Sequence, residues 1–465
     1  MRVLLARPNS PLQVAPVPLG LGYLSHALKT MRGDQTLILD GRRFRLSPEA
    51  FLARAEDFRP EAIGFTAMTF EAPETIALIA RCKERWPEVP VIFGGPHVTG
   101  FGPGLLEHCR ADYLAPGEGE ITLTELLDAL EGKRPLAGVA GVVRRERGAI
   151  VSSGPRAFCD DLSLLAADWE AMGPEHYFSI WRRNALNTIA VSNRRLPIFF
   201  SRGCPFGCAY CHHIFGRKYR TFPVERVAAE MVALRDRYRL SEFEIVDDTF
   251  NLDLDRAKAA MREIIGRRLN CALALSNGIR ADRMDSELLG LMKAAGVYRV
   301  DYAIETASPR LHQLMHKNLD LDRAREVVNM TAAHRIVTGG YYMLGFPTET
   351  RAEMEATIEY ALSLRNHIAS FFYLMPFPGT EVAEADPAVS QKVRALTFRD
   401  ASGIAVNLSA ATDAEMRAVR RAGYRRFYFS PGRMARIARD VPKNLRLAAS
   451  ALAVARLSCR ESVNY

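Results

Sequence analysis

Short apolar runs alternate with amphipathic stretches along most of this 465-residue chain, and that rhythm constrains the fold more than any other feature. Strands buried on both faces read as near-continuous apolar runs. Helical spacing between such runs is the mark of parallel strands joined by crossover helices. The rhythm comes in two series. In the first, Val3–Leu5, Leu37–Leu39, Ala62–Phe65, Val91–Phe93 and Tyr113–Leu114 are predicted strands, with helices such as Leu19–Met31 and Ala72–Arg85 between them. Five such units predict a doubly wound, Rossmann-like α/β domain over residues 1–155, with a small hairpin at 138–155. Residues 156–194 read as an irregular linker.

The second series begins at Ile198. Predicted strands are Ile198–Ser201, Phe243–Val246, Ala272–Ser276, Arg299–Ile304, Gly339–Leu344 and Ser370–Met375. Predicted helices are Val224–Tyr238, Arg256–Arg268, Ser286–Ala295, Leu321–His334 and Arg351–Ser363. Six units predict a (β/α)6 partial TIM barrel over 195–382, with chemistry at the carboxyl ends of its strands. From 383 to 465 the rhythm stops, and a mostly helical C-terminal region is expected.

No apolar run is long enough to span a bilayer. The opening Met-Arg-Val-Leu-Leu-Ala-Arg-Pro has too short an apolar core for a signal peptide, so a cytoplasmic protein is expected. The net charge is +9, which raises the question of nucleic acid. Residues 417–460, however, hold 12 Arg or Lys against the single acid Asp440, so this stretch carries +11 and the rest of the chain sums to −2. The basicity belongs to one segment, and no RNA-binding module is recognisable. Apolar residues at helical spacing from Met434 to Leu457, with arginines between them, suit either peripheral contact with an anionic membrane or packing on the protein itself.

Five cysteines (Cys82, Cys109, Cys159, Cys271 and Cys459) are scattered singly, without disulfide spacing. The other three cluster in Ser201-Arg-Gly-Cys-Pro-Phe-Gly-Cys-Ala-Tyr-Cys211, just after the first barrel strand. Three thiolates at Cys204, Cys208 and Cys211 suit three irons of a four-iron cluster, leaving one iron open. Pro205 and Gly207 let the backbone wrap a bulky group. His212 or His213 as a fourth donor keeps a zinc site open as an alternative.

This Cys-x3-Cys-x2-Cys run, with the aromatic Tyr210 before its last cysteine and a barrel strand before it, resembles the radical S-adenosylmethionine superfamily. The resemblance implies that the open iron binds S-adenosylmethionine. One electron from the cluster then yields a 5′-deoxyadenosyl radical, which abstracts hydrogen from an unreactive C–H bond. Other strand ends match the pattern. Asp247 and Asp248, in Asp247-Asp-Thr-Phe-Asn251, fall where the family contacts the amino group of S-adenosylmethionine. Arg280 is suited to its carboxylate, Glu305 to ribose or amino contacts, and Gly345 to close approach of adenine. Each taken singly also reads as a local cap or salt bridge.

The first domain carries Val91-Ile-Phe-Gly-Gly-Pro-His-Val-Thr99 and Ala115-Pro-Gly-Glu-Gly-Glu120 at predicted strand ends. With the barrel behind it, this order resembles the cobalamin-binding radical S-adenosylmethionine proteins over about residues 1 to 430. The resemblance implies cobalamin near Gly94, Gly95, His97, Gly117 and Glu118, with Thr66 in the family's small hydroxyl motif. The mutase-type Asp-x-His-x-x-Gly motif is broken here, because Asp40-Gly-Arg-Arg-Phe-Arg45 puts Arg42 in the place of the histidine. Cobalt without a histidine lower ligand is therefore expected; a degenerate domain without cofactor is the alternative. Arg425-Arg-Phe-Tyr-Phe-Ser-Pro431 resembles a motif that follows the barrel in this subfamily.

The expected function is a cobalamin-dependent radical methyltransferase acting on an unactivated carbon of a small or lipid-like substrate. It would draw electrons from a reductase or a flavodoxin or ferredoxin. The alternatives are a non-methylating enzyme with the same cofactors, such as an oxidative cyclase or ring-rearranging enzyme, and a non-catalytic cobalamin- or cluster-binding regulator.

Overall fold

A computed structural model describes residues 1–10, 16–178, 189–395 and 403–442. The chain forms two compact units. The first takes Met1–Arg183, His212–Gly216 and Phe377–Ala401; the second takes Asn184–Cys211, Arg217–Pro376 and Ser402–Tyr465. The division departs from the sequence boundaries at 155 and 382. Described residues of the expected linker pack into the first unit. Ser25 donates to Asp168 at 2.6 Å, and the Tyr177 hydroxyl donates to Asp40 at 2.6 Å.

In the first unit, strands β1 (Arg2–Arg7), β2 (Gln35–Asp40), β3 (Ala62–Thr66), β4 (Val91–Gly94) and β5 (Tyr113–Ala115) are parallel. A hairpin of β6 (Val143–Glu146) and β7 (Ala149–Ser152) continues the sheet antiparallel. The order is β2-β1-β3-β4-β5-β6-β7. The strand direction of progress reverses at β1, which makes the carboxyl edge there the binding crevice of a doubly wound sheet. The apolar runs are strands because both faces are covered: Leu4, Ile63, Val91 and Phe93 are fully buried, packed with Phe51, Ala55 and Ile79 from the helices.

In the second unit, β8 (Arg195–Ile198) is followed by a short antiparallel pair, β9 (Ser201–Arg202) with β10 (Arg220–Thr221). Then come β11 (Glu242–Ile245), β12 (Ala272–Ile279), β13 (Val297–Glu305), β14 (Val337–Leu344) and β15 (Ile368–Tyr373). Six strands are parallel in the order β15-β14-β13-β12-β11-β8. The first strand sits earlier than Ile198–Ser201, and the reason is local. The Asp247 carboxylate accepts from Phe200 N at 2.7 Å and Ser201 Oγ at 2.5 Å, which draws the chain out of the sheet after Ile198. The strand register slips between Leu273 and Ala274 near the start of β12, and again between Leu275 and Ile279 and between Ala303 and Glu305. The last two lie at carboxyl ends, where a bulge re-aims side chains.

The helix Asp413–Tyr428 covers the open edge of β15. It starts in a capping box: Glu415 N donates to Thr412 Oγ1 at 3.3 Å, and Thr412 N donates to the Glu415 carboxylate at 2.9 Å. Tyr424 and Tyr428, one helical turn apart, each place a hydroxyl on the strand edge. Tyr424 accepts from Phe371 N at 3.0 Å, and Tyr428 accepts from Ala369 N at 3.3 Å and donates to Ala369 O at 3.1 Å. Four helical residues rise about 6 Å and two strand residues about 6.6 Å, so the spacings match. This caps an edge that would otherwise template further pairing. The helix Pro431–Asp440 follows. Arg433 is 2% exposed and donates to four carbonyls, those of Asn366, Phe427, Leu362 and Leu364. Asp440 accepts from the buried His367 ring at 3.1 Å. Its own carboxyl is held down to about 2 by the Arg439 hydrogen bond, with His367 assisting. Within the expected amphipathic stretch, Met434–Pro442 is thus tied to the barrel, and the stretch from Lys443 on lies outside the described residues. No described helix is long and apolar enough to cross a membrane.

Candidate active site at the barrel edge

The loop after β9 carries the clustered cysteines and is pinned at several points. Gly203, at φ +86°, donates its N–H to Asp248 at 2.9 Å. Thr249 Oγ1 donates to the Cys204 sulfur at 3.2 Å. Ala209 N donates to Met315 O at 3.0 Å, and Cys211 N to Cys208 O at 3.0 Å. The Phe206 ring lies under the Arg280 guanidinium at 4.0 Å, with Arg283 at 5.5 Å. Burial raises the Cys208 thiol, against an opposing effect of Lys317. The Cys211 thiol is pushed up to about 12 by burial, then by Cys208 and Cys204. Thiols in this state bind iron with release of protons.

The donor set itself fits an iron–sulfur cluster: three thiols lie within one short, pinned loop. The buried Tyr210 hydroxyl lies beside Cys208 and lowers its thiol against the effect of burial. His212 contacts the Pro378 carbonyl at 3.1 Å and sits in the first unit.

The strand-end residues fall into distinct environments. Asp247 is spent on Phe200 and Ser201, and burial pushes its carboxyl up to about 7 against those hydrogen bonds. Asp248 faces the cysteine loop through Gly203, with its carboxyl raised by burial. Arg280 is fully engaged. It forks onto Asp282 at 2.8 and 2.6 Å and donates to the carbonyls of Lys317 at 3.0 Å and Asn318 at 3.3 Å. Glu305 ends β13 at φ +73° and meets Lys317 Nζ at 3.5 Å. The buried Tyr210 hydroxyl is raised first by burial and then by Glu305. Gly345, at φ +99°, is close-packed: a Cβ there would lie 2.6 Å from the Met416 methyl. Glu349 accepts from Gly345 N at 2.6 Å and Phe346 N at 3.0 Å, closing the turn after β14. Cys204, Cys208, Cys211, Tyr210, Asp248 and Glu305 are thus brought to one strand edge. Sequence reasoning passed over Lys317, Phe206 and Thr249; the only signal for Lys317 was its place in the loop after the helix that follows β13.

At the carboxyl edge of the first sheet, Gly95 has φ +92°, and a Cβ on it would lie 2.3 Å from Thr66 Oγ1. The glycine pair brings the ends of β3 and β4 together, and His97 N donates to Ala67 O at 3.1 Å. Gly94 lies against Ala115 O. Gly117, at φ +81°, opens on free space beyond β5 and donates to Thr99 Oγ1 at 2.9 Å. Glu118 accepts from Cys159 N at 3.1 Å. His97 is buried between Phe93 and Phe101, and burial followed by His212 takes its imidazole down to about 4. It lines a cavity of about 360 Å³ with Thr69, Phe101, Leu105, His108 and Arg394. Arg42 forms a buried ion pair with Glu71 at 2.6 Å. Asp40, which caps the short helix Gly41–Phe44, accepts from Arg7, Tyr177 and the N–H groups of Arg42 and Arg43. Burial raises its carboxyl, but the Arg7 charge outweighs this and leaves it below the usual range.

With this geometry in hand, comparison with known proteins is informative. Residues 198–361 match the model of the radical SAM superfamily, and residues 12–127 match the B12 binding domain. An uncharacterized methyltransferase of Pyrococcus horikoshii is 30% identical over 394 residues, 83% of each chain. The anaerobic magnesium-protoporphyrin IX monomethyl ester cyclase of Rubrivivax gelatinosus is 24% identical, over 82% of this chain and 69% of its own. Among solved structures, the radical S-adenosylmethionine methyltransferase TsrM of Kitasatospora setae superposes with a TM-score of 0.68 at 22% identity, covering 82% of this chain and 74% of the other.

Proposed function

We propose that this chain, which belongs to the radical S-adenosylmethionine superfamily and carries its B12-binding domain, is a cobalamin-dependent methyltransferase that adds a methyl group to an unactivated carbon of a small or lipid-like substrate. The observation that carries the reading is the pinned loop of Cys204, Cys208 and Cys211 at the carboxyl edge of a six-stranded parallel barrel, on a chain that also bears the doubly wound sheet. The bound cofactors supply reductive cleavage of S-adenosylmethionine and a carrier for the methyl group.

The residues of the chain position that chemistry. The three cysteines hold the cluster. Tyr210, Asp248 and Glu305 line its approach, and Gly345 shapes the turn beside it. Arg280 serves as a brace: its fork is occupied by the Asp282 carboxylate and its face by Phe206, so it orders the cysteine loop. In the first unit, Thr66, Gly94, Gly95, His97, Gly117 and Glu118 shape the edge that would take cobalamin. Arg42, which stands at the sequence position of the mutase-type histidine, is held by Glu71. A flavodoxin- or ferredoxin-type donor supplies the electron. Peripheral membrane contact remains a proposal for the basic C-terminal stretch, checked by co-sedimentation with anionic vesicles at low and high salt.

A second reading has its own support. The similarity to a cyclase favours oxidative radical chemistry without methyl transfer. One experiment separates the two. Reconstituted protein is incubated anaerobically with cobalamin, S-adenosylmethionine, reductant and candidate substrates. Methyl transfer yields both 5′-deoxyadenosine and S-adenosylhomocysteine and a product heavier by one methylene. The cyclase reading yields 5′-deoxyadenosine alone, with loss of hydrogen or gain of oxygen in the product.

A further inference from the structure

We infer that Lys317 is the counter-charge of the cysteine loop, placed by the turn after the helix Pro309–Leu314 and held by Glu305 so that the bound cluster is easier to reduce. The inference rests on the radical-enzyme reading above and assigns a role to a residue which that reading does not use.

Three features of the turn point to it. Lys317 is 7% exposed, and its ammonium has one close carboxylate, Glu305, at a long 3.5 Å. A buried ammonium is costly unless well paired, so a loose pair here is not built for stability. The backbone on both sides is left-handed: His316 has φ +53° and Asn318 φ +45°, and across from them Glu305 has φ +73°. His and Asn enter this region more readily than most residues, so the turn is set by what holds it in place. The surroundings here are the cysteine loop and its brace. Met315 O accepts from Ala209 N, Lys317 N donates to His312 O at 2.9 Å, and Arg280 donates to the carbonyls of Lys317 and Asn318. The turn and the loop are thus tied together where Ala209, between Cys208 and Cys211, meets Met315, two residues before Lys317 along the turn. The Lys317 charge opposes the burial of both thiols.

The chemical consequence follows from charge. A cluster held by three thiolates gains one negative charge when a low-potential donor reduces it by one electron. A fixed positive charge nearby in a poorly solvated site favours the more negative state, and net charge and exposure are known determinants of cluster potential. Glu305 works in the opposite sense. A salt bridge with a purely structural role would leave the potential unchanged when one partner is replaced.

The test uses full-length protein, reconstituted anaerobically with iron and sulfide. It is titrated with dithionite in the presence of redox mediators, with electron paramagnetic resonance as the readout. Lys317→Gln should shift the midpoint to more negative potential, with a reduced-to-oxidised ratio about tenfold lower at a fixed poise, equivalent to about 59 mV for one electron. Lys317→Arg should restore the wild-type value, and Glu305→Gln should shift it the other way. A Lys317→Gln protein with full iron content and a wild-type midpoint overturns the inference. Should that variant fail to retain iron, Glu305→Gln decides: an unchanged midpoint overturns the inference and a positive shift supports it. Wild-type protein that assembles no four-iron cluster would instead defeat the underlying reading, and the inference with it.

Discussion

Asp40 ends β2 in the first sheet and takes hydrogen bonds from Arg7, Tyr177 and two backbone N–H groups. Asp248 follows β11 in the second and takes one, from Gly203 N. The same contrast runs along both carboxyl edges. In the first unit Arg42 is closed on Glu71 at 2.6 Å, and the glycine pair is closed on Thr66. In the second unit Lys317 and Glu305 meet only at 3.5 Å, and Glu305 sits at positive φ. Polar groups that satisfy one another make a scaffold, and a loosely met buried pair beside a pinned loop sets the second edge apart from the first.

The largest expected effects test the second edge. Cys204→Ala, Cys208→Ala or Cys211→Ala should each abolish the cluster absorbance and iron content of reconstituted protein. Cys82→Ala and Cys271→Ala, which alter buried thiols remote from the loop in sequence, should leave both intact. An essential role for either of those two in iron retention would break the contrast.

The first edge predicts a stability effect. Arg42→Met leaves Glu71 buried and unpaired, which should cost about 3–5 kcal/mol in the unfolding of the unit that holds it. A urea titration followed by tryptophan fluorescence measures it. A change under about 1 kcal/mol would mean that the pair is not the closed structural device described here.

These two edges were legible in the sequence to different degrees. The strand–helix rhythm was readable because strands such as Val91–Gly94 are covered on both faces and must be apolar throughout. The cysteine loop was readable because its donors are adjacent in sequence. The first barrel strand was misplaced because Asp247, 46 residues beyond Ser201, pulls the chain from the sheet, and no local pattern announces that hydrogen bond. For Arg280 the sequence leaves two readings, a carboxylate contact of a bound ligand or a local salt bridge; the pair with Asp282 is local, whereas Phe206 and Lys317 come from two other loops. Lys317 was missed for the same reason: its role depends on where a turn is carried, and a lone lysine in a loop has no pattern.

A smaller effect concerns Glu349, at the turn after β14. Burial pushes its carboxyl up to about 7, against the N–H groups of Gly345 and Phe346. A carboxyl raised on folding contributes stability that is fully present below its unfolded value, near 4.5, and is lost as pH rises through about 7. Thermal unfolding should therefore show a component, on the order of 3 kcal/mol at most, that declines between those limits. Glu349→Gln should remove that decline. The smallest effect expected is at the capped sheet edge. Tyr424→Phe removes a hydroxyl from Phe371 N and should cost about 1 kcal/mol without changing cluster content.

The central claim is that the barrel edge holds a cluster that cleaves S-adenosylmethionine reductively. It is tested most directly by incubating the reconstituted, dithionite-reduced protein with S-adenosylmethionine and measuring 5′-deoxyadenosine by mass spectrometry. The account predicts its release by wild-type protein and by Cys271→Ala, and none from Cys208→Ala. Wild-type protein with a full four-iron cluster and no 5′-deoxyadenosine, with every candidate substrate supplied, would contradict it.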